Sequence, residues 1–347
     1  MASTEAASAS PASPVIKIGT RRSPLALRQT EHLVAELQRA HPGLSFEVVA
    51  IKTQGDKDKV SPLPSMGKGL WTNELEAMLA AGEVDMVLHC LKDMPTTVPA
   101  GFELGVIMER EDPRDVVVIR SALVAAAGAR SLADLPAGSL VGTSSPRRSA
   151  QLRRRHPALR FRDYRGNIDT RLSKLDAEGG EFDCIILAAA GLHRMGLHGR
   201  VSQYLDSASG VLHAVGQGAL AIEVRAGDER VLGVARVVAH EATSVACHAE
   251  RAVMRALEGG CSVPVGVETS WGGEGGKRLR LKATVVSLDG TEAVDADDEA
   301  LVSTAEEAEA FGKKVALDLV ARGASRILDV INETRLAPPV KTTTAAS

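Results

Sequence analysis

The sequence predicts an α/β protein in which two similar lobes face a cleft and a smaller α/β domain of separate construction follows. Three observations predict it. The 347 residues exceed the usual size of one hydrophobic core, so two or three domains are expected. A β-α-β-α-β order can be read from Val15 and again from about Ser139. From about Val238 the pattern changes to long helices and a β turn that fit neither unit.

In the first unit, Val15–Thr20 is a β-branched run. Ser23-Pro24 then opens a helix to about Ala40, because serine caps the first turn and proline tolerates its first position. Phe46–Lys52 reads as a strand, Thr53–Leu70 as a loop rich in Gly, Pro, Lys and Asp, Asn73–Ala81 as a helix and Val84–Cys90 as a strand. In the second unit the same order runs through Leu140–Thr143, Pro146–Arg155, Arg160–Tyr164, Ile168–Glu178 and Phe182–Ala189. A mostly parallel sheet is expected in each. Local text repeats at corresponding places: Ile18-Gly19-Thr20 beside Val141-Gly142-Thr143, and Glu83-Val84-Asp85 beside Glu181-Phe182-Asp183. Val215–Val224 reads as turn plus strand, with a return to the first lobe as one option. Farther on, His240–Leu257 is helical and closed by Gly259-Gly260, Arg278–Ser287 alternates and turns at Asp289-Gly290, and Thr304–Val320 and Ser325–Asn332 are amphipathic helices.

Aromatics make up only 3% against 44% hydrophobic residues, so Leu, Val, Ile and Ala fill the cores. That scarcity argues against a nucleic-acid reader built on stacked aromatics. A net charge of −3 gives no overall attraction to nucleic acid or an anionic membrane. The four cysteines have neither zinc nor disulfide spacing, which suits a reducing compartment. No apolar run reaches membrane-spanning length. Residues 1–14 are Ala/Ser/Pro-rich, lack Arg and an apolar core, and contain Glu5. They are expected to be a disordered tail rather than a targeting signal, as are residues 337–347, and a cytoplasmic location is expected.

The most unusual feature is cationic density. Arg147, Arg148, Arg153, Arg154, Arg155, Arg160, Arg162, Arg165 and Arg171 crowd the second unit. Arg153, Arg154 and Arg155 read as a solvated helix face. Arg147 and Arg148 differ, because they follow Gly142-Thr143-Ser144-Ser145-Pro146, where a strand runs into a helix start. Backbone N–H groups, small hydroxyls and guanidinium forks converge there on a carboxylate or phosphate. Arg165 occupies the next such corner, Arg171 lies one turn into the following helix, and Gly19-Thr20-Arg21-Arg22-Ser23 repeats the plan in the first unit. Arginine at these corners fits planar recognition of carboxylates, so a polyanionic small ligand is expected.

Asp93 ends the third strand, where a carboxylate facing arginines stays ionised and steadies a developing cation. Taken alone, it reads better as a partner of Lys92 or a turn cap. His89 reads as a satisfied, partly buried histidine, and no metal site is expected. Cys261, between Gly259-Gly260 and Ser262-Val263-Pro264, lies on a loop and is accessible, whereas Cys184 and Cys247 read as small hydrophobes.

The runs GTRRSPLALRQT (19–30), HCLKDMPT (89–96), VGTSSPRRSAQL (141–152), RGNIDTRLSKLD (165–176), LAAAGLHRMG (187–196), VGQGALAIE (215–223) and LEGGCSVP (257–264) closely resemble the porphobilinogen deaminase (hydroxymethylbilane synthase) family. They occur in the family's order and span nearly all of residues 15–335. The resemblance implies two lobes like those of type II periplasmic binding proteins and a smaller C-terminal α/β domain. The division implied here is lobe 1 over 15–113 plus about 214–235, lobe 2 over 114–213 and the third domain over 236–336.

It also implies the chemistry. Four porphobilinogen molecules condense head to tail with loss of ammonia, through azafulvene cations, and hydrolysis releases linear hydroxymethylbilane. The primer is a dipyrromethane cofactor that the enzyme assembles from substrate and holds by a thioether, here on Cys261. Asp93 matches the catalytic aspartate. Arg21, Ser23, Lys92, Thr143, Ser145, Arg147, Arg148, Arg165, Arg171 and Arg194 match contacts to cofactor or substrate carboxylates. Gln217 falls near the hinge and cleft, and Lys68 on a lid over the site. Two residues depart from the family pattern: Cys90 stands where serine is usual, putting a polar contact at stake, and Trp71 where phenylalanine is common. A monomer with a small-molecule substrate, no nucleic acid and no membrane is expected. The competing expectation is a non-catalytic small-anion-binding module of the same two-lobed fold, which would need neither Asp93 nor an accessible Cys261.

Overall fold

The computed structural model describes residues 15–57, 69–257 and 263–336. Both expected tails, Lys68 with most of its loop, and Cys261 lie outside the described residues. The chain opens with β1 (Val15–Arg21), α1 (Pro24–Ala40), β2 (Ser45–Ile51), α2 (Gln54–Lys57), α3 (Asn73–Ala80), β3 (Met86–Cys90) and β4 (Phe102–Ile107). It continues with β5 (Asp115–Ile119), α4 (Ser121–Ala127), β6 (Leu140–Gly142), α5 (Pro146–Arg155), β7 (Arg160–Arg162), α6 (Ile168–Asp176), β8 (Cys184–Ala188), α7 (Ala189–Arg194) and β9 (Gln203–Leu205). Then come β10 (Leu220–Arg225), α8 (Glu229–Ala235), α9 (Glu241–Ala256), β11 (Val265–Gly272), β12 (Arg278–Val286), β13 (Ala293–Leu301), α10 (Ala305–Ala321) and α11 (Ala324–Leu336).

Two five-stranded sheets, ordered β2-β1-β3-β10-β4 and β7-β6-β8-β5-β9, form the cores of two lobes of matching plan, and β11-β12-β13 forms a third, smaller sheet. β10 belongs to the first sheet, so the segment Val215–Val224 does return to the first lobe. The sheets are mixed rather than mostly parallel. β1 pairs with β2 and β3, and β6 with β7 and β8, in parallel. β10 runs antiparallel to β3 and β4, and β5 antiparallel to β8 and β9. The reason is connectivity: β5 and β10 are entered from the opposite lobe, at the cleft end, whereas the β-α-β strands are entered from the far end. Strands β4, β5, β9 and β13 are not among those expected from the sequence. β13 (AVDADDEAL) hides its alternation under acidic residues that face water.

The faint internal repeat is structural. Asp85 accepts a bond from the Lys17 amide of β1 (2.8 Å), and Asp183 accepts one from the Leu140 amide of β6 (2.7 Å). Each aspartate therefore pins the third strand of its lobe to the first. Gly19 and Gly142 are equivalent because a Cβ at either position would press on the neighbouring strand, 3.3 Å from Val87 and 2.9 Å from Ile185. Ser23 and Ser145 cap α1 and α5, accepting from the amides of Ala26 (3.3 Å) and Arg148 (3.4 Å), with proline following in each case.

The central strands β3, β10, β8 and β5 are buried on both faces, which demands continuous apolar runs. On β3, Met86 and Leu88 join the cluster with Leu33 and Leu37 of α1, while Val87 joins Leu75 and Leu79 of α3. One face of the third sheet is covered by α9, α10 and α11 around Phe311, Val253 and Leu281. Its other face carries cross-strand pairs such as Arg280–Asp297 (2.6 Å). Of the α5 arginines expected to face solvent, Arg154 and Arg155 are exposed and Arg153 is half-buried, and two of them also reach this domain. Arg153 donates to the Leu288 carbonyl (2.8 Å) and Arg154 pairs with Asp295 (3.1 Å).

Candidate active site

The C-terminal ends of β1, β3, β6 and β8 meet the starts of α1, α5 and α7 where the chain crosses between lobes, over residues 108–114 and 213–219. On the first-lobe side, Arg21 ends β1. Its Nε and Nη2 donate to both oxygens of Asp56 (3.2 and 2.6 Å), its Nη1 lies 3.8 Å from Asp93 Oδ2, and the Trp71 ring covers its face at 4.1 Å. Burial alone would raise the Asp56 carboxyl, but the bond to Arg21 and its charge hold it below the usual range. The ion-pair contact of Asp93 is therefore with Arg21, and its charge also acts on Lys92, favouring the ammonium against burial.

Lys92 reaches Gln217, with Nζ 3.4 Å from Oε1. The Gln217 amide donates to the Pro113 carbonyl (2.7 Å) and to Asp115 Oδ1 (2.9 Å), which places it between the two crossings. Arg147 and Arg148 converge on that same Asp115. Arg147 Nη1 meets Oδ2 at 2.7 Å, and Arg148 Nη2 meets Oδ1 at 2.6 Å. Arg147 also donates to the Leu212 carbonyl (2.6 Å) and Arg148 to that of Ile186 (3.0 Å). The expected open pair of guanidinium forks is thus a buried cluster with a carboxylate at its centre. Asp115 is fully buried, and the two arginine charges hold its carboxyl far below the usual range against the effect of burial.

Thr143 is buried, and its Oγ1 accepts from the Ser145 amide (3.2 Å). Ser23 and Ser145 serve as helix caps, which explains their place in the chain before any ligand is considered. Arg171 Nε donates to the Gly166 carbonyl (2.6 Å), and Arg194 Nη2 to that of Gly218 (2.8 Å). Arg165 follows β7 and acts electrostatically on Arg171.

The charge balance of this cluster is one-sided. Burial, and then the charge of Arg148, pulls Arg171 down to about 10. Burial likewise lowers Arg194 and Lys92, and it lowers Arg147 despite Asp115. Buried Arg147 with half-buried Lys92, Arg171 and Arg194, the charged form of each disfavoured, makes a seat for anions, because added carboxylates would restore the balance. Cys90 lies beside it and accepts from Gln29 Nε2 (3.3 Å); burial and then the charge of Asp93 push its thiol up, so it stays neutral.

Three other side chains singled out in the sequence can be placed. His89 is bonded to buried Glu223 (3.0 Å), as a satisfied histidine. Cys184 and Cys247 are buried, with Cys247 pushed up to about 12 by burial. Among the described residues there is no group of three or more metal-ligating side chains, and no helix long and apolar enough to cross a membrane.

Four important residues escaped the sequence reading. Asp115 signalled itself only as an acid heading the run Val116–Ile119, a strand that was not expected. Asp56 sat in a polar loop. Arg110 and Glu250 lie far apart in sequence, yet they pair where the third domain meets the crossings (2.6 and 2.7 Å). From the same helix α9, Arg251 donates to the Pro95 carbonyl (2.7 Å) and Arg255 to that of Thr96 (3.0 Å), bracing the segment just after Asp93.

Comparison with known proteins identifies the family. Residues 16–233 match the family model described as porphobilinogen deaminase, dipyromethane cofactor binding domain, and residues 244–321 match the porphobilinogen deaminase C-terminal domain. A porphobilinogen deaminase of Neurospora crassa is 59% identical over 323 residues, covering 92% of this chain and 95% of its own. Others are 50% identical in Yarrowia lipolytica (92% and 94% covered) and 50% in Gloeobacter violaceus (90% and 93%). Among solved structures, the methionine-binding protein MetQ is a distant likeness, 13% identical with a TM-score of 0.41 over 66% of this chain and 90% of that one. By domain content and by identity along nearly its whole length, the chain belongs to the porphobilinogen deaminase family.

Proposed function

We propose that this chain condenses four porphobilinogen molecules head to tail, with loss of ammonia, into hydroxymethylbilane on a covalently bound dipyrromethane primer. The observation that carries this reading is the gathering at one place of buried Arg147 and Arg148 with half-buried Lys92, Arg171 and Arg194, of which Asp115 directly binds only Arg147 and Arg148. A dipyrromethane bears acetate and propionate arms, and this donor set fits such a polycarboxylate. When bound, the cofactor supplies the primer pyrrole whose free α-carbon is extended, and Cys261 is the residue assigned to hold it.

Arg147, Arg148, Arg165, Arg171, Arg194 and Lys92 hold and orient the acid arms through charge-assisted bonds. Thr143, Ser23 and Ser145 set the helix starts that aim these groups. Gln217 ties the crossings together beneath them. Asp93, one-quarter exposed at the cleft with Arg21 beyond bonding distance, has oxygens available to a pyrrole N–H. Its charge stabilises the positive charge that develops on the ring as ammonia leaves. We further propose a cytoplasmic monomer, in keeping with the chain's near-neutral charge and its cysteine pattern.

Intact-mass spectrometry tests the reading. A covalent dipyrromethane increment is expected on the wild-type protein and absent after Cys261→Ser. An unmodified thiol in protein that turns over porphobilinogen would refute it.

A further inference from the structure

Arg21 stands between two carboxylates and treats them unequally. Asp56 takes the fork, with Nε–Oδ2 at 3.2 Å and Nη2–Oδ1 at 2.6 Å. Asp93 faces only Nη1, at 3.8 Å, an ion-pair distance too long for a hydrogen bond. Asp56 is itself fixed, since Oδ2 also accepts from the Thr53 amide (3.3 Å) and hydroxyl (3.0 Å). The free face of the guanidinium lies under the Trp71 ring at 4.1 Å, and that ring packs so closely on Gly55 that a Cβ there would lie 2.2 Å from it. The guanidinium is therefore clamped by edge and by face.

This clamp has a consequence for Asp93. An unrestrained arginine this close to a carboxylate closes into a bidentate pair, which occupies both oxygens and neutralises the charge. A carboxylate so paired has one lone pair on each oxygen taken and its charge largely offset, which leaves little field for a developing cation. We propose that Asp56 is a positioning residue that acts through Arg21: it holds the guanidinium fork and so keeps Arg21 from closing on Asp93. This rests on the reading of Asp93 as the group that faces the reacting pyrrole. Asp56 touches neither substrate nor reacting atoms. It determines how much of the Asp93 carboxylate remains available.

The test is a variant set assayed with porphobilinogen on cofactor-loaded protein, with loading checked by intact mass. Asp56→Asn keeps the size and the acceptor for Thr53 but loses the charge that holds Arg21. It is expected to lower kcat about tenfold, equivalent to about 1.4 kcal/mol, with KM changed less than about twofold. Asp56→Glu, which keeps the charge, is expected to retain most of kcat. In an Arg21→Gln background, Asp56→Asn is expected to add no further loss, because the residue it restrains is gone. An unchanged kcat in Asp56→Asn, a loss confined to KM, or full multiplicative losses in the double variant would each overturn the proposal while leaving the assignment of Asp93 intact. Full turnover by Asp93→Asn would instead sink that assignment, and this proposal with it.

Discussion

Arg110 and Glu250 form a two-pronged ion pair, Nη1–Oε1 at 2.6 Å and Nη2–Oε2 at 2.7 Å, at the point where both interlobe crossings meet helix α9. Arg110 also donates to the Gln217 carbonyl (2.8 Å), and Glu250 accepts from the Gly216 amide (2.8 Å) and the Thr269 hydroxyl (2.6 Å). One buried carboxylate thus joins the hinge strands to the third domain. Burial alone would raise the Glu250 carboxyl; the charge and bonds of Arg110 reverse this and hold it at about 2.

Glu250→Gln is therefore expected to destabilise the fold by about 3–5 kcal/mol, the usual result of stranding one member of a buried pair. The pH dependence has a definite sign. A depressed carboxyl contributes fully above its ordinary value of 4.5, and its contribution is lost as the pH falls toward 2. Wild-type thermal stability should decline across that window, and the decline should be shallower in Glu250→Gln. Melting curves at several pH values check this; parallel curves would refute it.

Asp115→Asn is expected to be more damaging than Arg147→Ala. Removing the acid strands two buried guanidinium groups and the Gln217 amide, whereas removing Arg147 leaves Asp115 still bound by Arg148 and Gln217. The expected order in chemical denaturation is wild type, Arg147→Ala, Asp115→Asn, with the last step at least about 2 kcal/mol. The reverse order would show that Asp115 is not the electrostatic centre of the cluster.

Arg171→Ala should separate binding from stability. Its charge is disfavoured in the fold by burial and by Arg148, so its loss should cost under about 1 kcal/mol of stability. A carboxylate left without its charge-assisted partner costs about 1.5–3 kcal/mol. Cofactor loading or substrate affinity should then fall about 10–100-fold. Intact mass and KM measure that loss; unchanged values would remove Arg171 from the site.

Asp93→Asn is expected to fold and to load cofactor normally, but to lose turnover about 100-fold or more, a typical span for removing a group that stabilises charge in the transition state. Its side chain pairs only at 3.8 Å, so little fold stability depends on its charge. Single-turnover kinetics would register the loss directly.

Gly290→Ala should loosen the third domain from the second lobe. Gly290 has φ of 79°, and a Cβ there would lie 2.7 Å from the Arg154 amide nitrogen and 2.9 Å from the Ala150 carbonyl, both backbone atoms of α5 that cannot step aside. Strain at such a position costs about 1–3 kcal/mol. Faster hydrogen exchange over residues 287–295 and in α5 is the expected signature.

Local chemistry made much of this protein legible from its sequence. Ser23-Pro24 and Ser145-Pro146 announce helix starts because a capping hydroxyl and a pre-set φ act within one turn, and both helices begin there. The weak repeat at Asp85 and Asp183 marks one hydrogen bond made twice. The arginine corners point to a polyacid because strand ends and helix starts have a fixed chemistry wherever they occur. Tertiary structure alone decided which acid answers each arginine. Asp56 for Arg21, Asp115 for Arg147 and Arg148, and Glu250 for Arg110 lie 35, 32, 33 and 140 residues from their partners. It also decided that β5 and β10 run against their neighbours, because the chain enters them from the opposite lobe. Periodicity and capping report only on the nearest few residues, whereas ion pairing and strand direction depend on where distant segments meet once the cores have closed.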